Sequence, residues 1–387
     1  MVKVVCAGIT GCKKQIAVES VLSSLPTRSR ETASQQNVED ILEEKRGVKW
    51  GRFLKSLNFN SQENYAREIL DEAIRRLSQY EHQFLNLHLT LYHKNRFFAP
   101  FPFDRIKDFK PDIMITLIDD VYASWARVKE KSERGEDPVR TYFSLQELLA
   151  WRSVEIMMAD FLASTLGIHN FVVAVKHPPG MLYSLIFEPH KLIVYVAHPI
   201  SRFRRESEVG GVDAASLASD KKELNQFIGE LQKEFIVFSP TTIDERILRG
   251  LQSPLTSGLR WELPSAQMVP ETDIQFPIAM KQEEVSAVSP TIDENIRFRD
   301  FRLINDVDCS VFFRPYWDKE IHGGVKSEID YTDSTMIDSV FYFPERDGTL
   351  EESPFAGGPS AVYTKVDQTI ADLRKRSPRY KRPWGIR

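Results

Sequence analysis

The chain has 387 residues, a formal net charge of -4 and three cysteines. Its length exceeds that of one typical core and predicts two domains, and its slightly acidic balance excludes a general attraction to nucleic acid or to anionic membranes. Three cysteines cannot form a disulfide framework, no apolar run reaches membrane-spanning length and the amino terminus lacks a signal-peptide pattern, so we expect a cytoplasmic protein with no membrane or nucleic-acid partner.

Strand and helix patterns alternate from the beginning of the sequence. The run VKVVCAGI is rich in β-branched residues and predicts a buried strand, and KKQIAVESVLSSL after it has apolar residues at helical spacing. Residues 26–50 are polar and charged, and they predict a mobile segment with one short helix. The next segment, SQENYAREILDEAIRRLSQYE, predicts an amphipathic helix with Ser61 as its N-cap.

The same alternation continues to the middle of the chain. FLNLHLTLY predicts a strand, and PDIMITLIDD predicts a strand of a parallel sheet because its apolar residues are continuous. The long helix pattern SLQELLAWRSVEIMMADFLAST and the strand pattern HNFVVAVK follow. Such alternation indicates a doubly wound sheet over residues 1–187.

A second alternation begins at KLIVYVAHPISRFRRE, after the turn signal HPPGM, and places a domain boundary near residue 188. It contains a helix in DKKELNQFIGELQKE, strands in FIVFSPTTIDE, DCSVFFRP and SVFYFPE, and a last helix in VDQTIADLRKR. Residues 252–293 are polar and punctuated by prolines, which predicts loops or an inserted lid. We therefore predict an α/β protein with two doubly wound domains, residues 1–187 and 188–387.

The first domain resembles the archaeal type of adenylate kinase, a P-loop nucleotide kinase. The resemblance rests on AGITGCKKQ after the first strand, on FLNLHLTLYHKNRFFAPFP, on FKPDIMITLIDD and on an arginine-containing lid before the long helix. It implies that loop N–H groups cradle the phosphates of an ATP-like nucleotide. The implied nucleotide-binding residues are Gly8, Gly11, Lys13, Lys14, His88 and Arg140.

Two departures from the P-loop pattern argue against kinase chemistry. The pattern places a glycine before its lysine and a hydroxyl after it, but this chain has Lys13 and Gln15 at those positions. Because the hydroxyl holds Mg²⁺ in such loops, we do not expect Mg²⁺ here. We expect a degenerate P-loop domain that binds a nucleotide or a phosphorylated ligand. An active nucleoside monophosphate kinase, or an ordinary strand-to-helix turn with solvated lysines, is the alternative.

The second domain has a different pattern of acidic residues. In RFRDFRLINDVDCSVFFRPYWDKEIHGGVKSEIDYT, two aspartates precede an apolar strand, and a Gly-Gly turn leads to Glu328 near the start of a predicted helix. Together with VYVAHPIS, this order over residues 190–345 resembles the nucleoside 2-deoxyribosyltransferases and the related nucleotide N-glycosidases. The resemblance implies a flavodoxin-like fold.

The resemblance also implies roles for individual residues. Glu328 is the nucleophile, Asp300 handles protons at the leaving base, and Asp308 is the carboxylate ahead of the core strand. The segments that bind the sugar and a 5′-phosphate contribute Tyr195, His198, Ser201, Arg202, Gly323 and Gly324. A carboxylate suits an anomeric carbon with oxocarbenium character, and a second acid suits the departing base, so no cofactor or metal is required.

This second pattern also has departures and alternatives. His322 replaces the usual serine, and Arg202, Arg204 and Arg205 make the turn basic. These arginines would bind a phosphate, which favours a nucleotide substrate, or they begin a solvated basic helix. For Asp308 the alternative is a contact with turn backbone, and for Glu328 it is a favourable helix-terminus charge.

We therefore predict an enzyme that cleaves or exchanges the N-glycosidic bond of a nucleotide or nucleoside and carries a regulatory nucleotide-binding domain. The resemblance implies a homo-oligomer, because sites of this family are often completed by a neighbouring subunit. A non-catalytic nucleotide sensor is the alternative from outside the enzyme class. The base, the sugar, and the choice between hydrolysis and transfer stay open.

Overall fold

The computed structural model describes residues 1–47, 59–93, 96–133, 143–200, 212–243, 245, 248, 282–317, 320–321, 323–344, 359–376 and 378. They form two compact units, Met1–Gly180 with Ile243–Asn295, and Met181–Thr242 with Ile296–Arg387. The division between Gly180 and Met181 lies close to the boundary predicted near residue 188. The segment Ile243–Asn295, which we placed in the second domain, belongs to the first unit. Three predicted site residues, Arg140, Ser201 and Arg202, lie outside the described residues.

The first unit contains a parallel sheet of five strands. In order across the sheet these are β2 (Ala33–Asn37), β3 (His82–Asn86), β1 (Val2–Ala7), β6 (Ile113–Ile118) and β7 (Asn170–Ala174). A short antiparallel pair is made by β4 (Leu91–His93) and β5 (Arg96–Phe98). The helices are α1 (Lys14–Ser24), α2 (Thr27–Glu31), α3 (Val38–Arg46), α4 (Phe59–Leu77), α5 (Phe103–Phe109), α6 (Val121–Glu133) and α7 (Leu145–Leu166).

The second unit contains another parallel sheet of five strands. Their order is β14 (Ala361–Tyr363), β13 (Asp338–Tyr342), β10 (Cys309–Phe313), β8 (Ile193–Ala197) and β9 (Ile236–Phe238). An antiparallel pair is made by β11 (Tyr316–Trp317) and β12 (Glu320–Ile321). Its helices are α8 (Pro179–Phe187), α9 (Val212–Gln232), α11 (Gly323–Ser334) and α12 (Val366–Leu373). Helix α10 (Gln282–Asn305) begins in the first unit and ends in the second. These two sheets confirm the predicted α/β class.

The alternation of side chains along β8 and β10 decides which of them reach the candidate site. Val194, Val196, Val311 and Phe313 lie in one hydrophobic cluster with Phe227 of α9. Because successive side chains of a strand point to opposite faces, Tyr195 and Ser310 point to the other face. There the hydroxyl of Thr332, from α11, donates to that of Ser310 over 3.4 Å, so α11 packs on this face.

Strand β2 shows where the pattern of the sequence was insufficient. Its residues ASQQN are polar and half-buried, and they lie inside the segment that we predicted to be mobile. Among the described strands, it lies at the edge of the sheet and pairs with β3. An edge strand has few apolar neighbours, so its sequence lacks the apolar pattern that identifies buried strands.

Helix α10 corrects the last part, residues 282–293, of the predicted loops or inserted lid over residues 252–293. The helix begins at Gln282 and contains Pro290, a residue that normally interrupts helices. Val285, Val288 and Ile292 are buried along it at helical spacing. Burial of this face therefore outweighs the local cost of the proline. Residues 252–281 lie outside the described part of the chain.

Candidate functional site

The most distinctive polar contact of the second unit joins Tyr195 and Glu328. The Tyr195 hydroxyl donates a hydrogen bond to Oε1 of Glu328 over 2.7 Å. Tyr195 is fully buried and Glu328 is 7% exposed. The fold explains the contact, because Tyr195 points to the face of β8 on which α11 packs and Glu328 lies on that helix. A buried carboxyl is thereby placed against a buried phenol.

A second carboxylate, Asp300, comes from α10 and is buried. Its Oδ1 accepts two hydrogen bonds from the neighbouring Arg299, from Nε over 3.0 Å and from Nη2 over 2.8 Å. Arg299 Nη2 also donates to the carbonyl oxygen of Pro240 over 3.2 Å. The guanidinium therefore connects α10 to the turn of 3₁₀ helix Pro240–Thr242. We call Glu328, Tyr195, Asp300 and Arg299 the Glu328 site.

Burial dominates the electrostatics of the Glu328 site. The pKa of Glu328 is raised to about 8, mainly by loss of solvation and also by the negative charge of Asp300. The hydrogen bond from Tyr195 and the charge of Arg299 act in the opposite direction. Burial and the two carboxylates also raise the pKa of Tyr195 well above its ordinary value. Because Glu328 and Asp300 interact, the observed titration belongs to the pair.

This electrostatic arrangement predicts a pH-dependent stability. Because the pKa of Glu328 is raised from 4.5 to about 8, the folded protein keeps a proton that the unfolded chain loses in this range. The contribution of Glu328 to the free energy of unfolding therefore falls, by on the order of a few kcal/mol, as the pH rises from about 4.5 to 8. Glutamine does not ionise, so the Glu328→Gln variant lacks this loss of stability. Its free energy of unfolding, measured by urea unfolding at several pH values, should therefore increase relative to that of the wild type as the pH rises.

An exposed carboxylate on the same helix provides the control for that measurement. Asp330 forms an exposed ion pair with Lys326. Asp330→Asn should leave the dependence of stability on pH as in the wild type. If Glu328→Gln and the wild type changed in parallel between pH 5 and pH 8, the raised pKa of Glu328 would be wrong.

The third predicted carboxylate, Asp308, lies elsewhere. Its Oδ2 accepts a hydrogen bond from the Ile193 N–H over 2.7 Å, and its own N–H donates to the Ile193 carbonyl oxygen over 2.9 Å. These contacts lie at the amino-terminal ends of β8 and β10. The structure thus joins Asp308 to strand backbone, the alternative that the sequence left open, and does not bring it to Glu328.

Three predicted substrate-binding residues lie at the ends of elements near the Glu328 site. His198 is buried directly after β8. Gly323 and Gly324 begin α11 and are exposed, and a Cβ at either position would meet no atom within 4 Å. Local packing therefore does not require glycine there.

The first unit places the loop between β1 and α1, residues 8–13, at the carboxyl end of its sheet. Gly8 and Gly11 have φ angles of 148° and 81°. Lys13, where the P-loop pattern has glycine, has a φ of 57°, in the left-handed region that favours glycine. The loop thus adopts a glycine-favouring backbone at the position where the sequence departs from the pattern.

Lys14 contacts the protein itself. Its Nζ donates to the Gly8 carbonyl oxygen over 2.6 Å and lies 3.1 Å from Nδ1 of His88. His88 Nε2 contacts the Glu39 carboxylate. Arg127 donates to the carbonyl oxygen of Gly11. Of the predicted nucleotide-binding residues, the structure therefore brings Gly8, Lys14 and His88 together.

Glu155 of α7 holds the beginning of this loop. Its carboxylate accepts hydrogen bonds from the N–H groups of Gly8, Leu89 and Thr90, at 3.1, 2.8 and 2.7 Å. The hydroxyl of Thr90 donates to it as well. A single buried side chain thereby joins the carboxyl ends of β1 and β3.

The close packing at Gly8 gives a second stability prediction. A Cβ there would lie 2.5 Å from the Leu117 carbonyl oxygen and 2.8 Å from Cys12 Sγ. Gly8→Ala should lower the free energy of unfolding by about 2 kcal/mol or more. Gly180→Ala is the control, because a Cβ at Gly180 meets no atom within 4 Å. Equal urea midpoints for the two variants would contradict the packing at Gly8.

Among the residues that hold these sites together, Arg299 and Glu155 were not predicted from the sequence. Arg299 precedes Asp300 directly in the sequence, and this adjacency could have indicated that the two side chains interact. Glu155 lies at helical spacing from the buried residues Trp151 and Ala159, so a glutamate among mainly apolar residues of one helix face was the signal there. In both cases the contact partners come from other elements of the fold.

No protein-family model matches the chain, and no curated protein is significantly similar to it. Among the residues that the structure describes, no three or more histidine, cysteine, aspartate or glutamate side chains are grouped in a way that would hold a metal ion. No helix in the described ranges is both long and apolar enough to cross a membrane.

Proposed function

We propose that the second unit cleaves or exchanges the N-glycosidic bond of a nucleotide or nucleoside, with Glu328 as the nucleophile. The observation that carries this proposal is the buried Tyr195–Glu328 hydrogen bond next to the Asp300 carboxylate. The resemblance to deoxyribosyltransferases and nucleotide N-glycosidases assigns the same residues to the sugar and the leaving base.

The protonation of the two carboxyls suits this reaction. With the pKa of Glu328 raised to about 8, its carboxyl contributes a proton to the Glu328–Asp300 pair near neutral pH. The departing base needs one proton, and attack on the anomeric carbon needs Glu328 ionised. Delivery of the shared proton to the base through Asp300 satisfies both needs. Water or a second base then attacks the glycosyl ester and releases Glu328.

Tyr195 supports the ionised form of Glu328 by donating to its Oε1. The same phenol limits the orientation of the carboxylate, because the hydrogen bond holds one of its two oxygens. Neither step requires a metal ion or a cofactor. We also propose that the enzyme works as a homo-oligomer, as the family resemblance implies.

We further propose that loop 8–13 of the first unit binds a nucleotide or phosphorylated ligand and regulates the second unit. The support is a strand–loop–helix element with Lys14 at the carboxyl end of a parallel sheet. Because Lys14 and Arg127 bind carbonyl oxygens of the loop, a ligand has to compete with these contacts.

The test is to incubate the purified protein with ribo- and deoxyribonucleotides and their nucleosides, with and without Mg²⁺, and to follow free base by chromatography. We expect base release that is independent of Mg²⁺. A phosphoryl product that forms only with Mg²⁺, without any free base, would instead support the nucleoside monophosphate kinase alternative. Tight binding without any product would support the nucleotide sensor.

A further inference from the structure

Arg299 makes more contacts with Asp300 than a simple surface ion pair provides. Two of its nitrogens donate to the same Asp300 oxygen, and its Nη2 also donates to the Pro240 carbonyl oxygen. Both side chains of the pair are at most 9% exposed. The guanidinium is thus fixed at two places, on its own helix and on the turn after β9.

We propose that Arg299 is the positioning residue of the Glu328 site, fixing the orientation and the charge of Asp300 against Glu328. The effect of Arg299 on catalysis rests on the proposed function, whereas its contacts with Asp300 and Pro240 are independent of that function. Because Oδ1 of Asp300 is committed to Arg299, proton transfer at Asp300 proceeds through its other oxygen.

The planar guanidinium is suited to this role. It presents several donors in a rigid fork, whereas a lysine would supply one flexible charge. A carboxylic acid next to a fixed positive charge also releases its proton more readily, which favours protonation of a leaving base. Arg299 would therefore act on the reaction through Asp300, without touching the substrate.

Within the described part of the chain, three groups from the packed elements act on the Glu328 carboxyl. These are Tyr195 from β8, and Asp300 and Arg299 from α10. Arg299 lowers the pKa of Glu328, so its loss should raise that pKa. Arg299→Gln removes both the charge and the fork, while Arg299→Lys keeps the charge and removes the fork.

The experiment measures the titration of Glu328 in the free protein, by NMR of ¹³C-labelled glutamate carboxyls, with Glu328→Gln to assign the signal. We expect Glu328 to titrate at higher pH in Arg299→Gln and near the wild-type pH in Arg299→Lys. For base release, both variants should lose about 10²-fold in kcat, with little change in KM. Arg302→Gln is the matched control, because Arg302 lies on the same helix and pairs with Asp306.

The outcomes separate this inference from the proposed function. If Glu328 titrates alike in the wild type and both Arg299 variants, the positioning role is overturned, even when all three release base. If the wild type releases no base but the titration moves as expected, the proposed function fails and the positioning role stands. Arg299→Lys also controls for misfolding. If Glu328 titrates normally in this variant but kcat is low, the variant is folded and the loss of activity comes from the missing guanidinium geometry and not from the missing charge.

Discussion

Replacing Glu328 with glutamine is expected to lower kcat for base release by at least about 10³-fold. Glutamine has nearly the same shape and still accepts the hydrogen bond from Tyr195, but its amide cannot form the glycosyl ester. The measurement is free base formed per enzyme under saturating substrate. KM should change little, because the variant keeps the packing of the site.

Asp330→Asn is the matched control for this loss. It removes a carboxylate from the same helix, but from the exposed pair with Lys326, and should keep wild-type kcat. If Glu328→Gln kept more than about a tenth of the wild-type rate, Glu328 would not be the nucleophile, and another group would have to carry the reaction.

Replacing Asp300 with asparagine is expected to lower kcat by about 10²- to 10⁴-fold for substrates whose base leaves only after protonation. Asparagine removes the group through which the shared proton reaches the base. The loss should be much smaller for a base that already carries a positive charge, such as 7-methylguanine, because this base leaves without a proton. The measurement is the ratio of kcat values for guanine and 7-methylguanine substrates.

Glu294→Gln is the control for the Asp300 variant, because Glu294 lies on the same helix and is exposed. It should leave both rates unchanged. Equal losses for the neutral and the charged base in Asp300→Asn would mean that Asp300 acts on the sugar or on folding, and the assignment of a proton-transfer role would be incorrect.

Periodicity in the sequence predicted several buried elements of this protein. The continuous apolar run of PDIMITLIDD became β6, all of whose side chains are buried. The pattern SLQELLAWRSVEIMMADFLAST became the long helix α7. In each case the residues that form the element also form its buried surface, so the pattern within the segment is sufficient.

Elements whose stability depends on distant neighbours were missed. The polar strand β2 exists because β3 supplies its hydrogen bonds, and the proline-containing first half of α10 is helical because Val285 and Val288 are buried. One predicted helix boundary was also wrong. Helix α4 begins at Phe59, so Ser61 lies inside the helix and is not the N-cap that we predicted. Local preference was outweighed by packing in the first two elements.

For the candidate sites, the sequence by itself determined which residue types were available, including Glu328, Asp300 and Lys14. Only the tertiary structure decided which of them meet. Glu328 receives its hydrogen bond from a tyrosine 133 positions away, Asp308 binds strand backbone, and Lys14 binds Gly8 and His88. The physical reason is that side-chain contacts and solvation depend on the order of the strands in the sheet and on which elements pack on each of its faces. Spacing along the chain encodes neither of these.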